Sequence, residues 1–83
     1  LGSTVVDLSF SASSIESIRQ LIAKMRHDGM DVRSYEIKER RTSQGEFLEA
    51  NLHLKVKRGS NDKLRVIDYM DQFTDVTISA AEV

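Results

Sequence analysis

Apolar and polar residues alternate along three segments of the chain, and this period of two predicts three half-buried strands. The alternation runs over residues 4–10, 47–57 and 76–80. It is cleanest in the middle segment, where every second residue from Leu48 to Val56 is apolar and the residues between them are polar or charged. We expect the apolar parity of each segment to face a common core.

A further strand is predicted over residues 30–41, but its apolar parity changes part-way along. The first two apolar residues occupy positions 30 and 32, whereas Tyr35 and Ile37 occupy odd positions. One face of a regular strand cannot hold all four, because successive side chains point to opposite faces. We therefore expect a β-bulge or a strong twist near Arg33 and Ser34.

Two amphipathic helices are predicted where apolar residues recur at steps of three and four. Their apolar stripes are Ile15, Ile18, Leu21, Ile22 and Met25 in the first helix, and Leu64, Ile67, Met70 and Phe73 in the second. Ser13 and Glu16 match a capping box at the start of the first helix, and Gly29 suits its end. The second helix is expected to follow a cap at Ser60 or Asn61 and to end at positions 74 and 75.

The resulting order is strand, helix, strand, strand, helix, strand, with residues 42–46 forming the turn of a long hairpin. Two split β-α-β units of this kind interlock into one sheet, and right-handed crossovers place the first and third strands at its centre. The sequence therefore predicts an α+β, ferredoxin-like βαββαβ sandwich. Its antiparallel sheet has four strands in the order 4-1-3-2, both helices lie on one face, and residues 1–83 form a single domain.

Composition narrows the possible functions. The chain has 83 residues, a net charge of -1 and no cysteine, which excludes disulfides, thiolate metal sites and thiol nucleophiles. Outward positions of the predicted central strands carry no aromatic residue on which a base could stack. A nucleic-acid interface would have to use a small basic group, Lys55, Lys57, Arg58 and Arg41. We expect no nucleic-acid partner.

Catalytic and metal-binding chemistry also lacks a signature. The two histidines fall in different predicted elements, and the first strand–helix loop has no arginine to cradle a phosphate, as an acylphosphatase would need. The short run of His27, Asp28 and Asp31 is interpreted as a helix end followed by two turn aspartates, and not as a metal site. We expect a protein that is not an enzyme, with no catalytic residue, no metal and no cofactor.

A small βαββαβ domain without a chemical site resembles the ACT and ACT-like regulatory modules, which commonly bind small effectors at edge-to-edge dimer interfaces. Three stretches are similar to the C-terminal domain of the MgtC/SapB family. They are DGMDVRSYEI at residues 28–37, FLEANLHLKV at 47–56 and FTDVTIS at 73–79. The resemblance implies an ACT-like domain on the cytoplasmic side of a bacterial inner membrane, in a longer membrane protein linked to magnesium homeostasis. Such a domain would act by self-association or by contacting the membrane region of its own protein.

Two groups of candidate functional residues follow from these expectations. A homodimer through a sheet edge or the helical face is expected to use Tyr35 and Ile37. The alternative is an ACT-type sensor of a small ligand, bound between the first strand–helix loop of one subunit and the end of the first helix in its neighbour. The candidate ligand-binding residues are Ser11, Ser13, Ser14, Asp28, Gly29 and Asp31.

Overall fold

The computed structural model describes residues 3–57 and 66–82, and these form a sheet of four strands with one α-helix and one short 3-10 helix. In chain order the elements are β1 (Ser3–Ala12), α1 (Ile15–His27), β2 (Asp31–Thr42), β3 (Gly45–Lys57), the 3-10 helix (Val66–Tyr69) and β4 (Thr74–Glu82). The sheet order β2-β3-β1-β4 is the predicted order 4-1-3-2 counted from the other edge. All neighbouring strands are antiparallel, so the predicted ferredoxin-like arrangement of the sheet is confirmed.

The core lies between the sheet and the layer that contains α1. The predicted apolar parity of β1 and β3 is the buried one, and their residues face α1 together with residues from the segment before β4. Phe10 on β1 is 1% exposed. The centroids of the Phe10 and Phe73 rings are 4.7 Å apart, and the two ring planes are tilted by 56°. The buried residues of α1 are Ile18, Leu21, Ile22 and Met25. Ile15, which was predicted to belong to that stripe, is exposed in the first turn of the helix.

The ends of α1 follow from two local features. Ser14 is the N-cap, because its hydroxyl accepts a hydrogen bond from the backbone N–H of Ser17 at 3.2 Å. The predicted cap at Ser13 is therefore wrong by one residue. The reciprocal hydrogen bond comes from Ser17 and not from Glu16, since the Ser17 hydroxyl donates to the Ser14 carbonyl at 2.8 Å. At the other end Gly29 has φ +93°, as expected for a residue that stops a helix in the left-handed region.

The predicted β-bulge in β2 is confirmed. The register of the pairing with β3 shifts at this point, since Val32 lies opposite Leu54 and Ser34 lies opposite His53, although Leu54 and His53 are adjacent in the chain. Arg33 is the additional residue. Because of this extra residue, Val32 before the bulge and Tyr35 after it both face the helix side of the sheet.

The segment before β4 departs from the sequence prediction. Residues 58–65, which include the predicted caps Ser60 and Asn61 and the predicted core residue Leu64, lie outside the described residues. In place of the end of a second α-helix, the described part contains the 3-10 helix Val66–Tyr69, followed by a further turn. The N–H groups of Met70 and Phe73 donate to the carbonyls of Ile67 and Met70, each three residues earlier. Met70 and Phe73 are nevertheless buried, as their predicted stripe requires, whereas Ile67 of the same stripe is 60% exposed and its neighbour Val66 is fully buried.

β4 also begins earlier than predicted. It starts at Thr74, and one additional residue in β4 produces a register shift against β1 between Ser9 and Ser11. Asp75 lies in this irregular part with φ +53°, a conformation that does not continue a right-handed helix. Residues 74–75 therefore belong to the strand and not to the end of a helix.

Candidate functional site

The two predicted ligand-binding segments lie at opposite ends of α1. Ser11, Ser13 and Ser14 precede the helix, whereas Asp28 follows its last residue. A helix of 13 residues is about 20 Å long at 1.5 Å per residue. The segments of one copy are therefore too far apart to hold one small ligand, and only a second copy could bring them together.

At the N-terminal end of α1 the serines are mainly engaged in the fold. Ser14 caps the helix, and the Ser11 hydroxyl donates a hydrogen bond to Asp75 Oδ2 at 3.2 Å. Ser13 is exposed and lines an open groove of about 380 Å³ together with Thr42 and Gln44 from the β2–β3 turn. The loop between β1 and α1 and the turn between β2 and β3 thus line the same groove, which was not predicted from the sequence.

At the C-terminal end of α1 the predicted acidic residues have structural partners. Asp28 is the C-cap of α1 and accepts a hydrogen bond from the Tyr69 hydroxyl, while Asp31 forms an ion pair with Arg33 at 2.7 Å. Tyr69 was not predicted as part of this corner, because it lies outside the apolar stripe of the predicted second helix. In residues 3–57 and 66–82, no group of three or more histidine and acidic side chains is arranged to hold a metal ion.

The predicted interface residues Tyr35 and Ile37 lie on the helix side of the edge strand β2. They are opposite the buried residues Leu52 and Ala50 of β3, so they face the same side of the sheet as the core. Tyr35 is nevertheless 48% exposed, and Ile37 is half-buried against the core. Ile15 on α1, 47% exposed, lines a groove together with Ile37. These three residues, Ile15, Tyr35 and Ile37, are called the β2 apolar strip below.

Charged side chains along β2 differ between its ends and its centre. Three arginines form ion pairs within the chain, namely Arg33 with Asp31, Arg40 with Glu49 and Arg41 with Glu46. At the centre, Glu36 and Lys38 are exposed, and neither has an ion-pair partner among the described residues. Their side chains share the face opposite the helix, on either side of Ile37.

The face of the sheet opposite α1 carries two polar cross-strand pairs that were not predicted from the sequence. His53 Nδ1 lies 2.5 Å from Asp7 Oδ1, and the Ser9 hydroxyl donates to Asn51 Oδ1 at 2.5 Å. Both pairs join directly opposed residues of β1 and β3. Predicting which residues face each other across β1 and β3 requires the strand order and the register of the pairing. The strand order could be predicted, but the register could not be read from the sequence.

Comparisons with known proteins support the fold alone. No family model matches the chain, and no curated protein matches it. The solved C-terminal domain LarC2, of a cyclometallase involved in the synthesis of the NPN cofactor of lactate racemase, superposes with a TM-score of 0.59 at 9% identity. That match covers 100% of this chain and 58% of the LarC2 chain, so this chain spans little more than half of it. The de novo designed protein Foldit4 matches over 98% of this chain and 96% of its own, with a TM-score of 0.53 and 15% identity.

Both matches are well below 25% identity, so they support the fold and no particular function. None of the described helices is long and apolar enough to span a membrane.

Proposed function

We propose that this domain is a non-catalytic interaction module that self-associates through the edge strand β2. The observation that carries the proposal is the central segment of β2, where two exposed charges without ion-pair partners flank Ile37 beside the exposed ring of Tyr35. An edge strand presents unpaired N–H and C=O groups to any neighbouring strand. The side chains of β2 determine which neighbour and which register are acceptable.

A two-fold antiparallel pairing of β2 with itself is chemically self-complementary when Ile37 lies opposite Ile37 of the second copy. Glu36 then lies opposite Lys38, and by symmetry Lys38 lies opposite Glu36. Opposite-charge pairs across strands stabilise the pairing by about 0.2–1 kcal/mol each, whereas like charges destabilise it. Moving the register by two residues places Lys38 opposite Lys38 or Glu36 opposite Glu36, so the two charges without partners favour the proposed register. Arg33 then comes opposite Arg41 of the second copy, but within its own chain Arg33 is paired with Asp31 and Arg41 with Glu46.

The β2 apolar strip supports the same interface. In the proposed register the Ile37 side chains of the two copies meet on the helix side of the sheet, with Tyr35 opposite Glu39 of the second copy. The Tyr35 ring, half exposed in the single chain, would lie over the continuous sheet and lose contact with water. The two sheets would form one sheet of eight strands, since each copy contributes four.

The family setting is part of the proposal. The similarity of residues 28–37, 47–56 and 73–79 to the C-terminal domain of the MgtC/SapB family suggests a cytoplasmic regulatory domain of a bacterial inner-membrane protein linked to magnesium homeostasis. In that setting self-association would bring together the membrane regions of two chains, or the domain would contact the membrane region of its own chain.

We expect the wild-type domain to dimerise and a single charge reversal to weaken the dimer by about tenfold, since either Glu36→Lys or Lys38→Glu places two like-charge pairs across the interface. The measurement is sedimentation equilibrium at several protein concentrations. The matched control is the double variant carrying both reversals, which restores opposite charges in the same register and should dimerise like the wild type. A wild-type chain that stays monomeric, or a double variant as weak as the single ones, contradicts the proposal.

A small-ligand sensor is the second candidate function, and it is supported by the groove that Ser11 and Ser13 form with the β2–β3 turn. In the proposed register the Asp28 to Asp31 corner of one copy lies towards the β2–β3 turn of the other. That turn lines one groove together with Ser11 and Ser13. The two predicted ligand-binding segments, which are separated within one chain, would therefore approach each other across the interface at both ends of the dimer.

For this second function we expect one ligand among amino acids, nucleotides and divalent ions to raise the melting temperature. At a hundredfold excess over its Kd, binding stabilises the folded state by about 2.7 kcal/mol, which corresponds to roughly 10 °C or more for a domain of this size. The measurement is differential scanning calorimetry with each ligand class. The Lys38→Glu variant, whose dimer is expected to be about tenfold weaker, should show a smaller effect at a protein concentration that lies between the dimer dissociation constants of the variant and the wild type. A screen without any stabilising ligand would rule out the sensor.

A further inference from the structure

The second sheet edge, formed by β4, differs in chemistry from the β2 edge. β2 is charged at seven of its 12 positions, which restricts the strands that can pair with it. In β4 the residues from Val76 to Ala81 are all uncharged, and they include β-branched residues suited to a strand. Among the described residues, no strand pairs with the outer side of β4. This edge therefore lacks the charges that commonly prevent strand pairing.

The regular part of β4 is long enough to accept another strand. The register shift against β1 is confined to the start of β4, where Asp75 adopts its positive φ. From Thr77 onward the pairing with β1 is continuous to Glu82. In such an edge strand, the N–H and C=O groups of alternate residues point away from the sheet and are available to a new neighbour.

An apolar groove runs beside this edge on the helix side of the sheet. Ile67 of the 3-10 helix, with Val76 and Ile78 of β4, lines a shallow groove of about 360 Å³. Ile67 is 60% exposed, and Val76 and Ile78 are half-buried. Alternate side chains of a strand added at β4 would point into this groove, because side chains on one face of a sheet repeat every two residues.

The surrounding charge indicates what kind of strand would fit. The described segment of residues 66–82 contains four acidic residues, Asp68, Asp71, Asp75 and Glu82, and no lysine or arginine. Asp71 lines the apolar groove directly. A second copy paired through β4 would bring two such acidic segments together, and this repulsion disfavours a β4–β4 dimer. A strand flanked by lysine or arginine would instead be attracted.

We infer that the outer edge of β4 is a strand-addition site for an extended segment of a partner protein, with alternating apolar side chains and basic residues at its ends. Backbone hydrogen bonds to β4 supply the pairing, the Ile67 groove accepts the alternate apolar side chains, and the acidic residues select the basic flanks. This site is separate from the β2 edge, so the chain could bind a partner while self-associated.

The test uses a synthetic peptide of alternating valine and threonine with two lysines at each end. Titrated into the ¹⁵N-labelled 83-residue chain, it should give saturable amide shifts in β4 and at Ile67, with none in β2. The Asp71→Lys variant, which changes an exposed turn residue, should bind about fivefold more weakly at low salt. The control Glu16→Lys makes the same charge change on α1 and should bind like the wild type.

Two control peptides separate strand addition from simple adhesion. A peptide N-methylated at alternate residues cannot form the backbone hydrogen bonds and should produce no β4 shifts. A peptide with glutamates in place of the lysines should lose at least about fivefold in affinity. The inference is overturned by equal binding of either control peptide, by shifts confined to β2, or by no shifts at all. Concentration-dependent broadening of β4 amides without peptide would show that a second copy occupies the edge, which also overturns it. Sedimentation of the β2 charge variants tests self-association independently of these results.

Discussion

We expect the chain lacking Asn51 to be unfolded at room temperature. Asn51 lies near the middle of β3, one of the two central strands of the sheet, and its side chain faces away from the core. Deleting it shifts the following residues by one position, so Leu52, Leu54 and Val56 would exchange faces with polar neighbours. Each is at most 4% exposed in the wild type, and burying such a side chain stabilises the fold by about 1.5–3 kcal/mol. The combined loss approaches the total stability of a small domain, about 0.05–0.15 kcal/mol per residue.

The matched deletion is that of Arg33, which should leave the fold intact. Arg33 is the additional residue of the β2 bulge, so without it Val32 and Ser34 would oppose Leu54 and His53 in an unbroken register. No core side chain changes face, and the lost ion pair to Asp31 is exposed and contributes about 1 kcal/mol or less.

Circular dichroism with urea titration distinguishes the two deletions. The chain without Arg33 should show a cooperative transition like that of the wild type, and the chain without Asn51 should show none. Equal stability of the two variants would mean that β3 can slip by one residue and that its side-chain parity does not determine the register.

This contrast shows which parts of the fold the sequence could predict. The parity of β1 and β3 was readable because their apolar residues alternate over many positions and both strands are central. The parity conflict between Val32 and Tyr35 likewise required one additional residue, and the structure contains it at Arg33. Right-handed crossovers then leave one strand order, which is the order observed.

The errors arise where local signals are degenerate. Ser13 and Ser14 can both cap a helix, and the glutamate three residues after Ser13 favoured the wrong one. The stripe of Met70 and Phe73 has helical spacing, but two successive 3-10 hydrogen bonds bury the same residues without an α-helix. Burial pattern alone cannot distinguish these two conformations over so few residues.

The candidate site was less accessible to sequence reasoning than the fold. Tyr35 and Ile37 could be identified because their parity differs from that of the preceding residues. The pairing of Asp7 with His53 and the contact between Tyr69 and Asp28 join residues far apart in the chain. Contacts of this kind depend on strand register and on how a turn is placed, and neither is encoded in a local pattern.

Substitution of Phe10 by alanine is expected to destabilise the protein by about 3–5 kcal/mol, the usual cost of truncating a buried phenylalanine. Phe10 is 1% exposed and its ring contacts Phe73, so a cavity would open between β1 and the segment that leads into β4. For a domain of this size the loss corresponds to a decrease of about 15–30 °C in melting temperature. Differential scanning calorimetry measures it, with Ile67→Ala as the control, because Ile67 is 60% exposed and its truncation should cost about 0.5 kcal/mol or less.

The partner ring makes this prediction specific to the Phe10–Phe73 contact. If the two rings stabilise each other, Phe73→Ala should cost less in the Phe10→Ala background than in the wild type, by a coupling energy of about 0.5–1.5 kcal/mol. Additive losses would mean that each ring packs independently against the aliphatic core. Coupled losses would mean that Phe73 fixes the start of β4 by packing on β1. The placement of the β4 edge, and with it the proposed strand-addition site, would then depend on the same aromatic pair that stabilises the core.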